Sequence, residues 1–202
     1  MKRLSSLLAA GALTAAALVS PVAGAATLKP QEVAGDAALS TVSDLEPNPE
    51  IEGQKWYDRY KDDPRLLKLQ ATSPSMNGRV IPLAVIPAKN PDRPTIYLLN
   101  GAGSAEQDTD WLANSNVVDF YADKDVNVVI PQSGAFSYYT DWQEDPNGKY
   151  LKGPQKWETF LTKELPGPLE QRLNANNKRA IAGMSMSATS SLLRAQHNPG
   201  FY

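Results

Sequence analysis

Apolar positions fall into short runs separated by turn residues, and the spacing changes along the chain. Leu66-Leu67-Lys68-Leu69-Gln70 and Arg79-Val80-Ile81-Pro82-Leu83-Ala84-Val85-Ile86 read as two strands. Ser73-Pro74-Ser75-Met76-Asn77-Gly78 turns between them. Thr95-Ile96-Tyr97-Leu98-Leu99 is apolar without alternation, the pattern of a strand buried on both faces, and it ends in Asn100-Gly101-Ala102-Gly103. A helix is predicted around Val117 to Tyr121. Val126-Asn127-Val128-Val129-Ile130 is a second buried strand, stopped by Pro131. An aromatic and polar excursion runs from Gln132 to Pro154. Trp157, Phe160, Leu161 and Leu165 then recur at helical spacing. Pro166-Gly167-Pro168 is expected to interrupt that helix, with Leu169 to Leu173 resuming it. Arg179 to Ala182 is a further strand. Ala188 to Gln196 is helix-prone and closed by Asn198-Pro199-Gly200.

Strands followed by helices imply βαβ units. The expected class is α/β, a mostly parallel sheet with helices on both faces. Chemistry in such sheets sits beyond the carboxyl ends of the strands. Two glycine-containing turns occupy such ends, Gly101-Ala102-Gly103 and Gly183-Met184-Ser185.

The N-terminus follows different rules. Lys2 and Arg3 precede an apolar, alanine-rich run from Leu4 to Val19, and Ala23-Gly24-Ala25 is an A-x-A site. Residues 1–25 therefore read as a cleaved signal peptide. Residues 26–64 read as an extended acidic arm, with Asp58 to Asp63 a solvated charged face, and the domain is expected over 65–202. The 202-residue sequence has no cysteine, which removes disulfides, thiol catalysis and cysteine metal sites. Its net charge is -2 with no basic stripe, so nucleic acid is not an expected partner. A single histidine, His197, cannot build a histidine-rich metal centre.

Gly183-Met184-Ser185-Met186-Ser187 stands between the last strand and the last helix. A serine flanked by small residues at a strand-to-helix turn is the pattern of a nucleophile elbow. Ser187 stands where a second glycine is usual, so the match is G-x-S-x-S. Serine acyl transfer also needs an oxyanion hole of two N–H groups, a base, and an acid that orients it. Met186 N–H follows the nucleophile. Ala102 N–H, between two glycines, is the second candidate. Glu106 stands where G-x-G-x-x-G requires its last glycine, so a dinucleotide site is not expected. His197 lies on the elbow helix itself. At ~1.5 Å rise per residue it is ~18 Å from Ser185, beyond hydrogen-bond reach, and it suits a partner of the helix C-terminus instead.

Five segments occur in order: Ser73-Pro74-Ser75-Met76, Tyr97-Leu98-Leu99-Asn100-Gly101, Tyr138-Tyr139-Thr140-Asp141-Trp142, Lys156-Trp157-Glu158-Thr159-Phe160-Leu161 and Gly183-Met184-Ser185-Met186. Together they resemble the secreted mycolyltransferases of mycobacteria and corynebacteria, within the esterase family of α/β-hydrolases. The resemblance covers roughly 66–202, and the missing disulfide and acidic arm are similar to the corynebacterial branch. It implies a cell-envelope enzyme without cofactor or metal. That enzyme would move mycolyl groups from trehalose monomycolate to a second trehalose monomycolate or to arabinogalactan, in peripheral contact with the mycolate-containing envelope. Ser185 would carry the acyl group, and the N–H groups of Ala102 and Met186 would hold its oxyanion. The family often has Asp at Asn100 and Arg at Gly103, positions that help hold trehalose, so sugar binding is where this chain departs. Trp142, Tyr138 and Tyr139 either line an acyl or sugar site or pack their own loop. The family order of serine, acid, histidine implies that acid and base lie past Tyr202, with this chain the inactive N-terminal part of a longer enzyme. A secreted carboxylesterase and a catalytically silent glycolipid-binding protein are the alternatives.

Overall fold

The computed structural model describes residues 37–202, so the signal-peptide reading of 1–25 and the first part of the expected arm lie outside the described residues. Six strands form one sheet in the order β1-β2-β3-β5-β4-β6. These are β1 (Val42–Asp44), β2 (Leu67–Ser73), β3 (Arg79–Ile86), β4 (Thr95–Leu99), β5 (Asn127–Pro131) and β6 (Arg179–Gly183). The strands of the apolar runs form within a residue of the expected positions, except that β2 continues three residues past Gln70 to Ser73.

Sheet direction differs from the expectation, because the sheet is mixed. β1–β2, β2–β3 and β3–β5 pair antiparallel, and only β4–β5 and β4–β6 pair parallel. The reason lies in the connections. β2 and β3 form a hairpin through a 3₁₀ turn at Pro74–Met76, closed by Asn77 and Gly78 at φ 57° and 74°. No helix separates β3 from β4. A parallel pair needs a helical crossover, and only the second half of the sequence provides one.

Part of the segment expected as an arm is folded onto the domain. β1 extends the sheet, with Val42 opposite Ala71. Helix α1 (Pro49–Glu52) is capped by Asn48, whose side chain accepts from Glu50 N and Ile51 N. Helix α2 (Lys55–Tyr60) follows, and Ile51, Trp56 and Tyr60 are buried. A charged composition conceals three large apolar residues, each followed by polar neighbours.

Side-chain alternation along the strands divides the core. Leu83, Val85, Tyr97, Leu99 and Val129 face Trp157, Phe160, Leu161, Leu165 and Leu169. Ala84, Ile86, Leu98, Val128 and Ile130 face Trp56 and the short helices α3 (Trp111–Asn114) and α4 (Val117–Tyr121). On the first face, α5 (Trp157–Thr159) passes into one wide π turn, Phe160–Glu164, and then α6 (Pro166–Arg172). The expected break at Pro166 is thus a widened turn. Leu165 N reaches back to Phe160 O at 2.9 Å, and Pro166 opens α6, where its missing N–H costs nothing. The turn also carries buried Glu164 to the hairpin, where it accepts Ser73 Oγ at 2.6 Å and Ser75 N at 2.8 Å.

Candidate active site

β6 ends at Gly183, and helix α7 (Met186–His197) begins three residues later. The chain reverses through Ser185 at φ 54°, ψ −119°, a conformation that costs a non-glycine residue on the order of 1–3 kcal/mol. Ser185 is solvent-exposed and its side chain caps nothing. The turn is close enough to exclude a side chain at Gly183. A Cβ there would lie 2.2 Å from Ser187 O, 2.5 Å from Ser187 C and 2.6 Å from Ser187 Oγ.

Ser187, in place of the usual second glycine, is a fastener. Its hydroxyl receives Met184 N at 3.0 Å and donates to Leu99 O at 2.8 Å, tying the elbow to β4. Leu99 O also accepts Trp111 Nε1 at 2.9 Å. β4 and β6 run in register from Thr95 opposite Arg179 to Leu99 opposite Gly183, so both turns leave the sheet at the same level. A Cβ on Gly101 would stand 3.8 Å from Ser185 Cβ and 3.5 Å from Thr109 O. Thr109, which the sequence reading does not single out, therefore flanks the serine across Gly101.

The two expected oxyanion donors are free. Among the described residues neither Ala102 N–H nor Met186 N–H has a hydrogen-bond partner. Met186 opens α7, where N–H groups are unsatisfied and the helix dipole favours negative charge. The Ala102 carbonyl is held from the far side by Phe136 N at 2.6 Å. Phe136 belongs to a loop with three left-handed residues, Phe136, Tyr138 and Tyr139, at φ 60°, 56° and 47°. α7 grips that loop: Ser190 Oγ donates to Tyr138 O at 2.6 Å, and buried Arg194 donates to Tyr139 O at 2.8 Å while pairing with Glu158 at 2.9 Å.

The residues expected at a sugar site are placed differently. Asn100 is buried, and its amide is fully engaged inside. Nδ2 donates to Pro131 O at 2.8 Å and Ser104 Oγ at 3.3 Å, while Oδ1 accepts Trp111 N at 3.2 Å. Gly103 is closed over, since a Cβ there would meet Thr109 Oγ1 at 2.5 Å and Gln107 Cβ at 2.8 Å. An arginine fits at 103 only if the 104–109 turn moves. Trp142 donates its indole N–H to Ser137 O at 2.9 Å, and Tyr139 is buried against Trp157 with ring centroids 5.4 Å apart, so both pack their loop. Tyr138 is exposed. His197 Nδ1 sits 3.3 Å from Glu158 Oε1 in the last turn of α7, away from Ser185. Asp141 accepts Thr159 N at 3.1 Å and Thr159 Oγ1 at 2.6 Å, at the end of α5.

Under the same turns lies a buried polar group that is not fully satisfied. Asp110 caps α3 through Oδ1, receiving Leu112 N at 2.9 Å and Ala113 N at 3.0 Å. Its Oδ2 has no partner among the described residues, and burial raises its pKa.

An exposed serine at a strained strand-to-helix turn, next to a turn with a further unpartnered N–H, is an arrangement able to serve acyl transfer. Residues 73–202 match the family model described as Esterase. The chain belongs to the esterase family. Within reach of this family, residues of the chain are 36% identical over 132 positions to the diacylglycerol acyltransferase/mycolyltransferase Ag85A of Mycobacterium tuberculosis, a match covering 65% of this chain and 38% of that protein. Identity is 34% to the Ag85B enzyme of Mycolicibacterium smegmatis, over 65% of this chain and 40% of the relative. Among solved structures, MPT51 of Mycobacterium tuberculosis superposes with a TM-score of 0.57 at 30% identity, over 68% of this chain and 48% of that one. A ferulic acid esterase, at 21% identity and a TM-score of 0.51, shares the fold. The chain spans less than half the length of the mycolyltransferases it matches.

Proposed function

We propose that Ser185 is the nucleophile of an acyl transfer in which a mycolyl group leaves trehalose monomycolate and passes to a second trehalose monomycolate or to arabinogalactan. The observation that carries the reading is the elbow itself: an exposed serine in a strained conformation at the start of α7, with Gly101 of the facing turn beside it. In the first step Ser185 Oγ forms an ester bond with the acyl carbon as the sugar oxygen leaves with a proton. In the second an acceptor hydroxyl reverses this. The N–H groups of Ala102 and Met186, both without a partner among the described residues, would hold the negative charge that develops on the carbonyl oxygen, and each such donor is worth about 10²–10³ in rate. Unaided serine is a weak nucleophile, and His197 closes the 12-residue helix that Ser185 precedes, ~18 Å away at ~1.5 Å rise per residue, so the base is not His197. The similarity to Ag85A and Ag85B supports a mycolyl donor, and export to the envelope follows from that reading together with the leader-like sequence of residues 1–25.

The test uses the protein as its cell produces it. It is exposed to an alkyl fluorophosphonate and the adduct is mapped by peptide mass spectrometry. Label on Ser185, lost in Ser185→Ala with folding intact, is expected. Label on a different serine, or none on a folded protein that still transfers mycolate, refutes the assignment.

A further inference from the structure

A cleft of about 290 Å³ opens beside the hairpin end of the sheet and is lined by none of Ser185, Ala102 or Met186. Its floor is Arg79, at the start of β3. The guanidinium is half-buried and no carboxylate pairs with it among the described residues. Its contacts are neutral: Gln155 Oε1 at 3.2 Å, Met76 Sδ at 3.6 Å and Lys152 O at 2.8 Å. Gln155 is itself buried and fixed by Trp157 Nε1 at 2.8 Å, so a neutral amide stands where an acid would have cancelled the charge. Burial lowers the Arg79 pKa, as expected for a cation lacking a counter-ion. A guanidinium has five N–H positions, and these three contacts leave two for a ligand.

Two further cations border the same cleft. Lys149 and Lys152 sit on a turn closed by Gly148 N to Leu151 O at 2.8 Å and Gly153 N to Pro146 O at 3.0 Å, and neither has an ion-pair partner among the described residues. The carboxylates that face Arg79 are Glu106 and Asp145. Glu106 is already engaged, accepting Ser133 Oγ at 3.0 Å and Gly134 N at 2.9 Å. Three cations against this leave the cleft net positive. Its volume is at the low end of small-molecule sites and larger than a bare ion needs. Tyr150, braced by Phe136 at 4.9 Å between ring centroids, gives the rim an apolar edge. Ser133, whose hydroxyl donates to Glu106 and keeps its acceptor capacity, can meet a sugar hydroxyl.

We propose that this cleft binds an acidic monosaccharide unit, its phosphate or carboxylate on Arg79, Lys149 and Lys152 and its ring against the Tyr150 rim. The two anion sources share one recognition chemistry, since a guanidinium fork accepts either group. The site is separate from acyl transfer and stands or falls independently of it.

The test is calorimetric titration of the purified full chain with four probes: inorganic phosphate, glucose 6-phosphate, glucuronate and glucose. Glucose 6-phosphate or glucuronate is expected to bind saturably and more tightly than phosphate or glucose, weakening as salt rises. The tighter of the two identifies the anion. Arg79→Gln should weaken that binding by about tenfold or more, as for loss of a charge-assisted hydrogen bond. Because Arg79 also braces the turn, the double variant Lys149→Ala, Lys152→Ala is measured alongside. Both lysines are exposed, so folding is unaffected, and a loss of about threefold or more is expected. No saturable binding of either sugar acid, affinity no greater than for phosphate alone, or affinity unchanged in both variants overturns the proposal.

Discussion

Replacing Gly183 with alanine tests the elbow directly. The added Cβ would meet three atoms of Ser187 at 2.2, 2.5 and 2.6 Å, two of them backbone, where ordinary contact begins near 3.4 Å. The start of α7 must retreat by roughly an ångström to admit it. It is not free to do so, because Ser187 Oγ is bound to Leu99 O and to Met184 N, and Ser190 Oγ to Tyr138 O. Overpacking of this kind costs about 1–3 kcal/mol. Breaking the two Ser187 hydrogen bonds adds about 1 kcal/mol each. The sum is about 3–5 kcal/mol, a large share of the 5–15 kcal/mol typical of a whole domain. In a domain of this size that lowers Tm by about 10 °C. Scanning calorimetry of Gly183→Ala against wild type measures it, with Gly167→Ala as control. A Cβ at Gly167, inside α6, meets nothing within 4 Å, and a helical Gly→Ala change stabilises by about 0.5–1 kcal/mol. A Gly183→Ala protein melting within about 2 °C of wild type would refute the close-packed elbow.

Asn100→Ala should act as a stability variant and not as a sugar-binding one. It orphans Pro131 O and Trp111 N, for a cost of about 2–3 kcal/mol in urea unfolding, and trehalose affinity measured on the folded variant should not change. Asp110→Asn keeps the α3 cap but removes a buried charge. Because burial raises the Asp110 pKa, the folded state holds its proton longer than the unfolded chain does, and stability falls as pH rises from the ordinary carboxylate range through the raised value. The variant should therefore unfold at higher urea than wild type at pH 7, with the gap closing toward pH 3; a gap that widens on acidification would contradict the assignment.

The strands and the serine turn were legible because they are local patterns. Ile96-Tyr97-Leu98-Leu99 and Val128-Val129-Ile130-Pro131 are apolar without interruption, and Gly183 with Ser185 follows the short run Ala180-Ile181-Ala182. Strand direction was not legible from alternation alone. It depended on the β3–β4 connection, which lacks helical periodicity. The fold of residues 42–60 was masked by its charge, since Ile51, Trp56 and Tyr60 belong to helices too short to display an amphipathic period. The roles of Asn100 and Trp142 were left open for a different reason. The family resemblance pointed Asn100 toward a sugar and Trp142 had two readings, and a polar side chain is decided by its partners. For Asn100 these lie 11 and 31 residues away, at Trp111 and Pro131. Ser187 could have been read better. A hydroxyl in place of the usual glycine, at a turn with no room for a larger side chain, must bond to backbone, and it does.

The carbonyl oxygen of Leu99 serves as a shared datum. Ser187, 88 residues downstream, and Trp111, 12 residues downstream, each donate to it, at 2.8 Å and 2.9 Å. One carries the wall that bears the nucleophile and the other the wall that closes over Gly101. Two parts gauged from one reference point keep their spacing however the intervening chain varies, because placement errors are confined to two hydrogen bonds and do not accumulate along the loops between them. Within the long excursion from Gln132 to Pro154, only the part beyond the 136–139 segment held by Ala102 and α7 can thus vary without detuning the gap in which an acyl group would sit.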